Sequence, residues 1–478
     1  MLQPDSTPIY VDLDGTLVHT DLLAESAVRF ITRHPLRSPW LAVWLSHGKA
    51  HLKAELARRV DLDAASLPYN LPLIAHLREK AGQGVPVYLA TAANEKYANA
   101  VAAHLGFFSG VLASDNTHSL SGARKLQAIR EATGGRFIYA GNDHVDMAIW
   151  EESAGAMVVN ASPALQRCVK TNGVPVVGTF DRPVPPRMAR LRALRPHQWL
   201  KNLLVFLPIL PIAASVAVAP MLAQAFLAFV AFSLCASAVY LINDLADLAP
   251  DRAHPRKRLR PFAAGHLPLQ FGVVAAPLLL VAAALLALTL GPPFAVVLAT
   301  YFVLTSAYTF GLKRYPLVDV LSLAMLYTLR VLGGAAAIMV VPSFWILAFS
   351  MFMFFSLALA KRYVELDAMR EASRLGAMGR GYRTADMPAL QTMGVASGYL
   401  AVLVVAFYIN SPDVTARYGH VSILWGLCPL LMLWVSRVWL KAVRSEMNDD
   451  PLVFALKDKL SLLVTGAALL VLLAATVI

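Results

Sequence analysis

The stretch "LINDLADLAPDRAHPRKRLRP", residues 241–261, joins three carboxylates to a run of cations at the end of a long apolar segment. Asp244, Asp247 and Asp251 are spaced i, i+3 and i+7, a spacing that predicts one shared helical face. Carboxylates grouped at the end of a membrane segment repel one another and are costly to desolvate. A Mg²⁺ ion removes both costs, because Mg²⁺ is normally held by one or two carboxylates together with substrate phosphates. The segment therefore predicts a Mg²⁺–diphosphate site.

The residues around these acids predict contacts to phosphate. Charged nitrogen donors bind phosphate oxygens strongly. We therefore expect the adjacent amide and the following cations to bind the diphosphate, namely Asn243, Arg252, Arg256, Lys257 and Arg260. The alternative is a solvated loop in which the acids only pair with Arg252 and Lys257.

The composition separates a soluble part of the chain from a membrane part. Of the 478 residues, 57% are hydrophobic and only 15% are charged, whereas soluble domains carry about a quarter charged residues. We expect an α/β domain over residues 1–180, a linker with a basic juxtamembrane segment over 181–202, and an all-α polytopic membrane domain over 203–478. The formal charge of +12 favours cationic cytoplasmic loops or phosphate binding over nucleic acid, because the basic residues lie in loops between apolar segments. The three cysteines are far apart, which excludes a disulfide framework or a zinc-binding spacing.

Apolar runs of about twenty residues predict nine transmembrane helices. Their approximate bounds are 203–219, 221–243, 268–290, 293–310, 317–340, 342–361, 393–411, 421–440 and 460–478. With the N-terminal domain inside, every inner loop holds several Lys and Arg residues, while the outer loops hold at most Arg417. The N-terminus also lacks the cationic and apolar regions of a signal peptide. We therefore expect a multi-pass protein of a bacterial-type inner membrane, with a cytoplasmic N-terminal domain and the C-terminus outside.

The pattern Asn-Asp-x-x-Asp-x-x-x-Asp at the end of the second span resembles the UbiA-type membrane prenyltransferase superfamily, over roughly residues 187–478. Four segments look closer still to one branch, the decaprenyl-phosphate phosphoribosyltransferases of cell-wall arabinan synthesis: "RPHQWLKN" (195–202), "DRAHPRKRLRP" (251–261), "YTFGLKR" (308–314) and "AKRYVEL" (360–366). The resemblance implies phosphoribosyl pyrophosphate as donor and a polyprenyl phosphate as acceptor. It also points to substrate-binding residues in the membrane domain, namely Lys201, Tyr308, Lys313, Asp319, Arg330 and Lys361. For Lys201 and Lys313 the alternative is simple anchoring at the inner leaflet.

Two features depart from the family pattern. Many aromatic prenyltransferases carry a second Asp-rich motif, but here the corresponding region, "YTFGLKRYPLVDVLSLAMLYTLR", contains only Asp319. One acid fewer fits the phosphoribosyl branch. Pro250 disfavours helix at Ala249 and removes an N–H group, which predicts a kink before Asp251.

The N-terminal stretch "IYVDLDGTLVHTD" (9–21) is an apolar strand that breaks into acids. Its Asp-x-Asp-Gly-Thr signature resembles haloacid-dehalogenase-type phosphatases over about residues 8–165. The later segments "VPVYLATAANE" (85–95), "GARK" (122–125) and "RFIYAGNDHVDMAIW" (136–150) follow in the order of that family. Alternating strands and helices predict a Rossmann-like parallel sheet, with the site at the carboxyl ends of the strands.

By this resemblance, Asp12 is the nucleophile that forms an aspartyl-phosphate. Asp14 protonates the leaving oxygen and then activates water, while Thr91 and Lys125 bind the phosphoryl oxygens. The implied Mg²⁺ shell comprises Asp12, Asp14, Asn142, Asp143 and Asp146. Asn142 stands where the family has Asp, so either metal binding is weaker or Asp143 substitutes. The alternative is a degenerate, catalytically inactive domain.

The residues between Asp14 and Thr91 suffice for a helical cap, and residues 36–60 are rich in apolar and basic side chains. Trp40 and Trp44 lie in this segment, which is too short and polar to span a bilayer but could lie on its surface. We hypothesise that the cap helix near residues 36–46, which carries these tryptophans, faces the membrane or the mouth of the transferase. The alternative is ordinary packing inside the cap.

Together these patterns predict a two-step enzyme. The membrane domain would join phosphoribosyl pyrophosphate to a polyprenyl phosphate, and the phosphatase would then remove the ribose 5-phosphate to leave polyprenyl-phosphoryl ribose, with Mg²⁺ in both domains. One alternative is an aromatic polyprenyltransferase of quinone synthesis with a separate phosphatase task. Another is a lipid or ion transporter with a regulatory soluble domain, which would place acids near span centres rather than at inner span ends.

Overall fold

The computed structural model describes residues 7–115, 118–181, 185–212, 218–371, 381–415, 420–447 and 451–477. Contacts divide the chain into two units. The first unit comprises Met1–Leu194 together with Tyr240–Ala276, and the second comprises Arg195–Val239 together with Pro277–Ile478. The loop that carries the acids of residues 241–261 therefore packs with the N-terminal domain.

A six-stranded parallel sheet forms the centre of the first unit. Its strands are β1 (Ile9–Val11), β2 (Val87–Asn94), β3 (Gly110–Ser114), β4 (Ile138–Gly141), β5 (Gly155–Val159) and β6 (Val176–Phe180), in the spatial order β3-β2-β1-β4-β5-β6. Ile9 is in register with Val87 on one side and with Ile138 on the other. The strand β1 is buried throughout, as expected for a parallel sheet that is covered on both faces.

Nine helices accompany this sheet: α1 (Leu22–Arg33), α2 (Trp40–Ser46), α3 (Lys49–Arg59), α4 (Leu71–Gly82), α5 (Glu95–Leu105), α6 (Ala123–Thr133), α7 (Met147–Trp150), α8 (Pro163–Thr171) and α9 (Pro186–Leu194). Helices α1, α2 and α3 form the cap between β1 and β2. Its small core joins Phe30, Trp44, Leu52, Leu56 and Val60.

The expectation that both cap tryptophans face outward is wrong for one of them. Trp44 is buried, with its ring 5.1 Å from that of Phe30 and 4.6 Å below the guanidinium of Arg59. Trp40 is 54% exposed. The two tryptophans lie about one turn apart on the short helix α2, and the cap core includes Trp44 but not Trp40.

The described residues of the remainder form helices joined by turns and loops. Its α-helices are α10 (Val218–Ala246), α11 (Leu248–Ala253), α12 (Leu269–Thr289), α13 (Pro292–Phe310), α14 (Val318–Ala337), α15 (Phe344–Glu371), α16 (Met387–Ile409), α17 (Pro412–Thr415), α18 (Val421–Leu424), α19 (Leu427–Val443), α20 (Pro451–Lys457) and α21 (Lys459–Val477). A long 3₁₀ segment, Pro196–Ile212, precedes α10.

Within the described residues, seven helical segments are long and apolar enough to cross a membrane, rather than the nine that the sequence predicts. The first predicted span, 203–219, contains instead the end of the 3₁₀ segment. Pro208 lacks an N–H donor and its ring disfavours the preceding α-helical turn, which opposes a continuous α-helix there. The last predicted span corresponds to the shorter apolar helix α21.

Helix α14 packs very closely on the 3₁₀ segment inside the second unit. A Cβ added at Gly334 would lie 1.9 Å from the carbonyl oxygen of Val205, and one at Gly333 would lie 2.4 Å from the ring of Phe232. Only glycine permits this approach. The contact brings polar side chains of α14 and of the 3₁₀ segment together, as described below.

Candidate functional site

A cleft of about 460 Å³ opens at the carboxyl ends of the central strands of the sheet. The chain order across the sheet reverses between β1 and β4, and ligands of such sheets bind where the order reverses. Six of the seven residues that the sequence predicts for a phosphatase site line this cleft: Asp12, Asp14, Lys125, Asn142, Asp143 and Asp146.

Asp12 follows β1 and is paired with a buried lysine. The Nζ atom of Lys125 lies 2.9 Å from Oδ1 of Asp12 and 3.0 Å from the hydroxyl of Tyr139. That hydroxyl in turn donates to Oδ1 of Asp146. Burial alone would lower the pKa of Lys125, but the carboxylates of Asp12 and Asp146 outweigh it and raise this pKa above its ordinary value. Lys125 is therefore a fixed cation beside the carboxylate of Asp12.

Asp14 lies two residues further along, at the mouth of the cleft. Its Oδ1 atom accepts a hydrogen bond from the backbone N–H of Leu22 at 3.0 Å, which ties it to the first turn of α1. Burial of the carboxyl, with the charge of Asp21 adding to it, raises the pKa of Asp14 to about 8. A carboxyl with such a pKa is protonated at neutral pH and can donate a proton.

The turn after β4 holds the other acidic residues. Oδ2 of Asp146 accepts from the backbone N–H groups of Asn142 and Asp143, at 2.9 and 3.0 Å. The side chain of Asn142 accepts a hydrogen bond from Thr16, within the turn that carries Asp14. Asp146 therefore orients this turn, and Asn142 and the exposed Asp143 line the cleft.

These oxygen donors fit one Mg²⁺ ion. Carboxylate and carbonyl oxygens are its usual ligands, and the ion commonly keeps several waters or phosphate oxygens. Within the described residues, no three acidic, His or Cys side chains form a group that could hold a metal ion by themselves. The donor set therefore suits an ion that phosphate and water complete, with Asp12, the main-chain carbonyl of Asp14, and Asn142 or Asp143 as candidate protein ligands.

Thr91 is placed differently from the other predicted residues. It is fully buried in β2, does not line the cleft, and its Oγ1 accepts a hydrogen bond from the N–H of Ala93. The strand β2 continues beyond it to Asn94, so Thr91 lies inside the strand rather than at its end. Its hydroxyl supports the strand end that borders the cleft.

Lys53 is a residue of this site that the motifs do not indicate. It lies on the cap helix α3, and its Nζ atom is 2.5 Å from the carbonyl oxygen of Ala92. It also borders a small pocket together with Asp14 and Asn94. Burial lowers the pKa of Lys53, against the opposing charges of Asp14 and Asp21. No short motif precedes it, because its position depends on how the cap folds over the sheet.

The acids of the opening stretch do not share one continuous helix. Helix α10 ends at Ala246, Asp247 is the N-cap of α11, and Asp251 lies within α11. The predicted kink is present, and Pro250 occupies the first turn of the new helix, where its missing N–H is tolerated. Asp244 and Asp251 still converge, since one nitrogen of Arg260 lies 3.2 Å from Oδ1 of Asp244 and 2.7 Å from Oδ2 of Asp251.

This convergence fits a divalent cation. Both carboxylates are 2% exposed, and both direct an oxygen to a single positive group. Burial raises the pKa of Asp251, although Arg260 opposes that shift. Mg²⁺ is commonly held by one or two carboxylates together with phosphate oxygens, so Asp244, Asp247 and Asp251 stay the predicted ligands of a Mg²⁺–diphosphate site.

The residues predicted to bind phosphate differ in their exposure and in their contacts. Arg256 and Lys257 are exposed, and Arg260 is half-buried beside the acids. Asn243 is half-buried and its carbonyl oxygen accepts from the N–H of Asp247. Arg252 is the exception, because its guanidinium forms a buried bidentate pair with Glu25 of α1, at 2.7 and 2.9 Å. The prediction that Arg252 binds diphosphate needs correction, since its donors are already engaged.

A second polar cluster lies inside the second unit. The carboxylate of Asp319 accepts hydrogen bonds from Tyr308 at 2.9 Å and from both Nε and Nη2 of Arg362. Arg362 also contacts Glu365. The family resemblance points to the neighbouring Lys361 as a substrate-binding residue. Lys361 is half-buried, whereas Arg362 is 1% exposed. On a helix, consecutive residues face different directions, and the sequence does not say which of the two cations faces inward.

A third cluster joins α14 to the 3₁₀ segment. Arg330 donates to Oδ1 of Asn202 at 2.8 Å, to the carbonyl of Leu326 and to the hydroxyl of Tyr301 at 3.0 Å. Lys201 is 9% exposed, with its Nζ 5.9 Å from the ring centre of Tyr327.

Lys201 also borders an apolar groove of about 250 Å³, whose other walls include Leu204, Leu207 and Val453. A cation beside an apolar groove can bind the head group and the first part of the chain of an anionic lipid. Lys313 is half-buried after α13.

The chain is similar to several known proteins. The chain is 37% identical to the uncharacterized protein y4nM of Sinorhizobium fredii, over 95% of this chain and 88% of that protein. It is 38% identical over 190 residues to the decaprenyl-phosphate phosphoribosyltransferase of Mycolicibacterium smegmatis, which covers 39% of this chain and 59% of that enzyme. A solved structure of a UbiA homolog from Archaeoglobus fulgidus, bound to GPP and Mg²⁺, aligns with 61% of this chain and all of that one, at 15% identity and a TM-score of 0.46.

Residues 203–475, more than half of the chain, match the UbiA prenyltransferase family. The matched region contains the seven helical segments of membrane-spanning length within the described residues. The chain is therefore a multi-pass membrane protein whose C-terminal part belongs to the UbiA prenyltransferase family.

Proposed function

We propose that this chain is a two-step enzyme of lipid-linked sugar synthesis. Its membrane domain transfers 5-phosphoribosyl from phosphoribosyl pyrophosphate to a polyprenyl phosphate. Its N-terminal domain, a haloacid-dehalogenase-type phosphatase, then removes the 5-phosphate and leaves polyprenyl-phosphoryl ribose. The proposed limits are residues 1–180 for the phosphatase, 181–202 for the linker and 203–478 for the transferase.

The observation that carries this proposal is the cleft in which Asp12, Asp14, Lys125 and Asp146 meet. A nucleophilic carboxylate beside a fixed cation is the arrangement that phosphoryl transfer to an aspartate needs. This cleft belongs to the same chain as a domain that is similar to decaprenyl-phosphate phosphoribosyltransferases. The product of such a transferase carries a phosphomonoester on its ribose, which is a substrate for the cleft.

In the transfer step, an anionic oxygen of the polyprenyl phosphate attacks C1 of the ribose while the bond from C1 to the diphosphate breaks. The attacking oxygen is already ionised, so no strong base is required. A Mg²⁺ ion bound by Asp244, Asp247 and Asp251 would neutralise the departing diphosphate. Arg256, Lys257 and Arg260 supply further positive charge to its oxygens.

The acceptor phosphate requires a cation next to an apolar path for the isoprenoid chain. Lys201 meets both needs, because it borders the groove lined by Leu204, Leu207 and Val453. We propose that Lys201 binds the acceptor phosphate.

In the second step, Oδ2 of Asp12 attacks the phosphorus atom and the ester bond to the ribose 5-oxygen breaks. Asp14 donates its proton to that leaving oxygen, in keeping with its raised pKa. Asp14 then takes a proton from the water that hydrolyses the aspartyl-phosphate, and inorganic phosphate leaves. Lys125 neutralises the charge on the phosphoryl oxygens. A Mg²⁺ ion in this cleft would supply further charge neutralisation.

The contacts of Asp319 favour phosphoribosyl transfer over aromatic prenyl transfer. Phosphoribosyl transfer, as proposed, requires only one acidic motif. The carboxylate of Asp319 is fully buried and engaged by Arg362 and Tyr308, so it does not supply a second acidic centre.

Mass spectrometry of lipids tests the proposal. The full chain in lipid nanodiscs would receive phosphoribosyl pyrophosphate, decaprenyl phosphate and Mg²⁺. We expect wild type to yield decaprenyl-phosphoryl ribose, Asp12→Asn to accumulate its 5-phosphate, and Asp244→Asn to yield neither. Each variant controls for the folding of the other, because Asp244→Asn should still dephosphorylate an added lipid-linked ribose 5-phosphate. Consumption of a prenyl diphosphate instead of phosphoribosyl pyrophosphate would refute the proposal.

A further inference from the structure

The loop between α10 and α12, residues 247–268, belongs to the UbiA part of the sequence but packs on the N-terminal domain. Its firmest attachment is the bidentate pair between Arg252 and Glu25. The side chains of Arg252 and Glu25 are 6% and 7% exposed. Nε of Arg252 also donates to the carbonyl of Ala263, at 3.2 Å, so the arginine fixes the fold of its own loop as well. A buried bidentate pair sets orientation as well as distance.

The second attachment is a contact between backbones. Gly265 has φ +69°, and a Cβ added there would lie 2.4 Å from Cβ of His19 and 3.1 Å from its carbonyl oxygen. Any side chain at this position would separate the two segments. His19, Thr20 and Asp21 all line the 460 Å³ cleft, so Gly265 brings the loop to the cleft edge.

The loop and the start of α12 complete the cleft wall. Pro268 and Gln270 line the same cavity as Asp12 and Asp14. The Nε2 atom of Gln270 is 3.3 Å from Oδ2 of Asp21, whose other oxygen caps α1 through the N–H of Ala24. Gln270 is thus held at the edge of the cleft as an exposed residue.

We propose that Gln270 is a specificity-determining residue of the phosphatase cleft, supplied by the UbiA part of the chain, and that it binds the hydroxyl groups of a sugar phosphate. A carboxamide offers both a donor and an acceptor, which matches neighbouring sugar hydroxyls. The cleft is also much larger than a phosphate ion requires, and its volume lies in the range of small-molecule sites. This inference rests on the proposed phosphatase function.

Steady-state hydrolysis by the full chain tests the proposal with two soluble substrates, ribose 5-phosphate and p-nitrophenyl phosphate. Loss of one neutral hydrogen bond costs about 0.5–1.5 kcal/mol, so we expect Gln270→Ala to raise KM for ribose 5-phosphate by roughly 3- to 10-fold. The change in KM for the aromatic ester should be under about 2-fold. Leu259→Ala is the matched control, since Leu259 lies on the same loop, is 71% exposed and does not line the cleft.

A second set of variants tests the attachment of the loop. Arg252→Glu should reproduce the selective rise in KM, because it displaces the cleft wall. Adding Glu25→Arg should re-form the ion pair and return KM for ribose 5-phosphate part of the way to the wild-type value. Equal losses on both substrates in Gln270→Ala, or no change on either, would overturn the specificity role. If wild type hydrolysed the aromatic ester but not ribose 5-phosphate, the proposal that Gln270 binds a sugar phosphate would be overturned. The proposed phosphatase function would still be supported. If wild type hydrolysed neither substrate nor the lipid-linked one, both proposals would fail.

Discussion

Replacing Trp40 with glutamate should slow dephosphorylation of a membrane-bound substrate much more than that of a soluble one. The polyprenyl tail cannot leave the bilayer, because each buried CH₂ contributes about 0.8 kcal/mol, so the phosphatase must work at the membrane surface. The cap offers an exposed apolar face for this contact, formed by Leu36, Trp40, Val43 and Leu45.

The exposure of Trp40 sets the expected magnitude. A tryptophan side chain buries about 200 Å² when fully covered, and 54% of this residue is exposed. Roughly 110 Å² is therefore free to enter the membrane interface, which at about 25 cal/mol per Å² amounts to nearly 3 kcal/mol. A factor of ten corresponds to about 1.4 kcal/mol, so loss of this contact should lower kcat/KM on the lipid substrate by about 100-fold.

The assay compares lipid-linked ribose 5-phosphate in vesicles with free ribose 5-phosphate. Trp44→Ala serves as the matched contrast, because Trp44 is buried in the cap core with Phe30 and Leu56. Removing such a side chain costs about 3–5 kcal/mol of stability, so activity should fall on both substrates alike. A Trp40→Glu variant that loses both activities equally, or neither, would refute a membrane contact through this face.

Three further predictions concern other residues. EDTA should stop both reactions, and Mg²⁺ should restore them; activity in excess chelator would contradict the metal assignments. Lys53→Ala should lower phosphatase kcat/KM about 10- to 100-fold, for loss of one charged hydrogen bond of about 1.5–3 kcal/mol, while transfer measured in the same preparation stays at the wild-type rate. Arg362→Met should leave the Asp319 carboxylate buried without its cation, at a cost of about 3–5 kcal/mol; thermal unfolding in detergent would show it, and Asp319→Asn with Arg362→Met should recover part of the loss.

Most of the residues that line the cleft of the N-terminal domain could be selected from the sequence for a local reason. Asp12 directly follows β1, Asp14 lies two residues further on, and Asp146 lies in the turn after β4; the carboxyl ends of neighbouring parallel strands meet at one edge of a sheet. The segment "GARK" (122–125) also identifies Lys125 as a residue of this cleft. Lys53 is not identified in this way, since its approach to Asp14 depends on the packing of α3 over the sheet, which short-range patterns do not encode.

The membrane part was anticipated less completely. Hydropathy locates apolar segments but does not distinguish an α-helix from the 3₁₀ segment Pro196–Ile212, where prolines change the backbone. The spacing of the acids suggested one helical face, yet the chain starts a new helix at Leu248 and still brings Asp244 to Asp251 through Arg260. The partner of Arg252 could not be found from its neighbours, because Glu25 lies 227 residues earlier.

Asp251 and Arg252 are consecutive residues on the short helix α11, yet one contacts Arg260 beside Asp244 and the other contacts Glu25 of the cap. A ligand that rotates α11 while binding at Asp251 must also strain or relax the pair with Glu25. Binding free energies that share such an element are reciprocal. Whatever factor a ligand at Asp251 applies to the affinity of the cleft for its own ligand, the ligand in the cleft applies to the affinity at Asp251. Occupancy of the cleft would thereby set how readily a ligand binds beside α11.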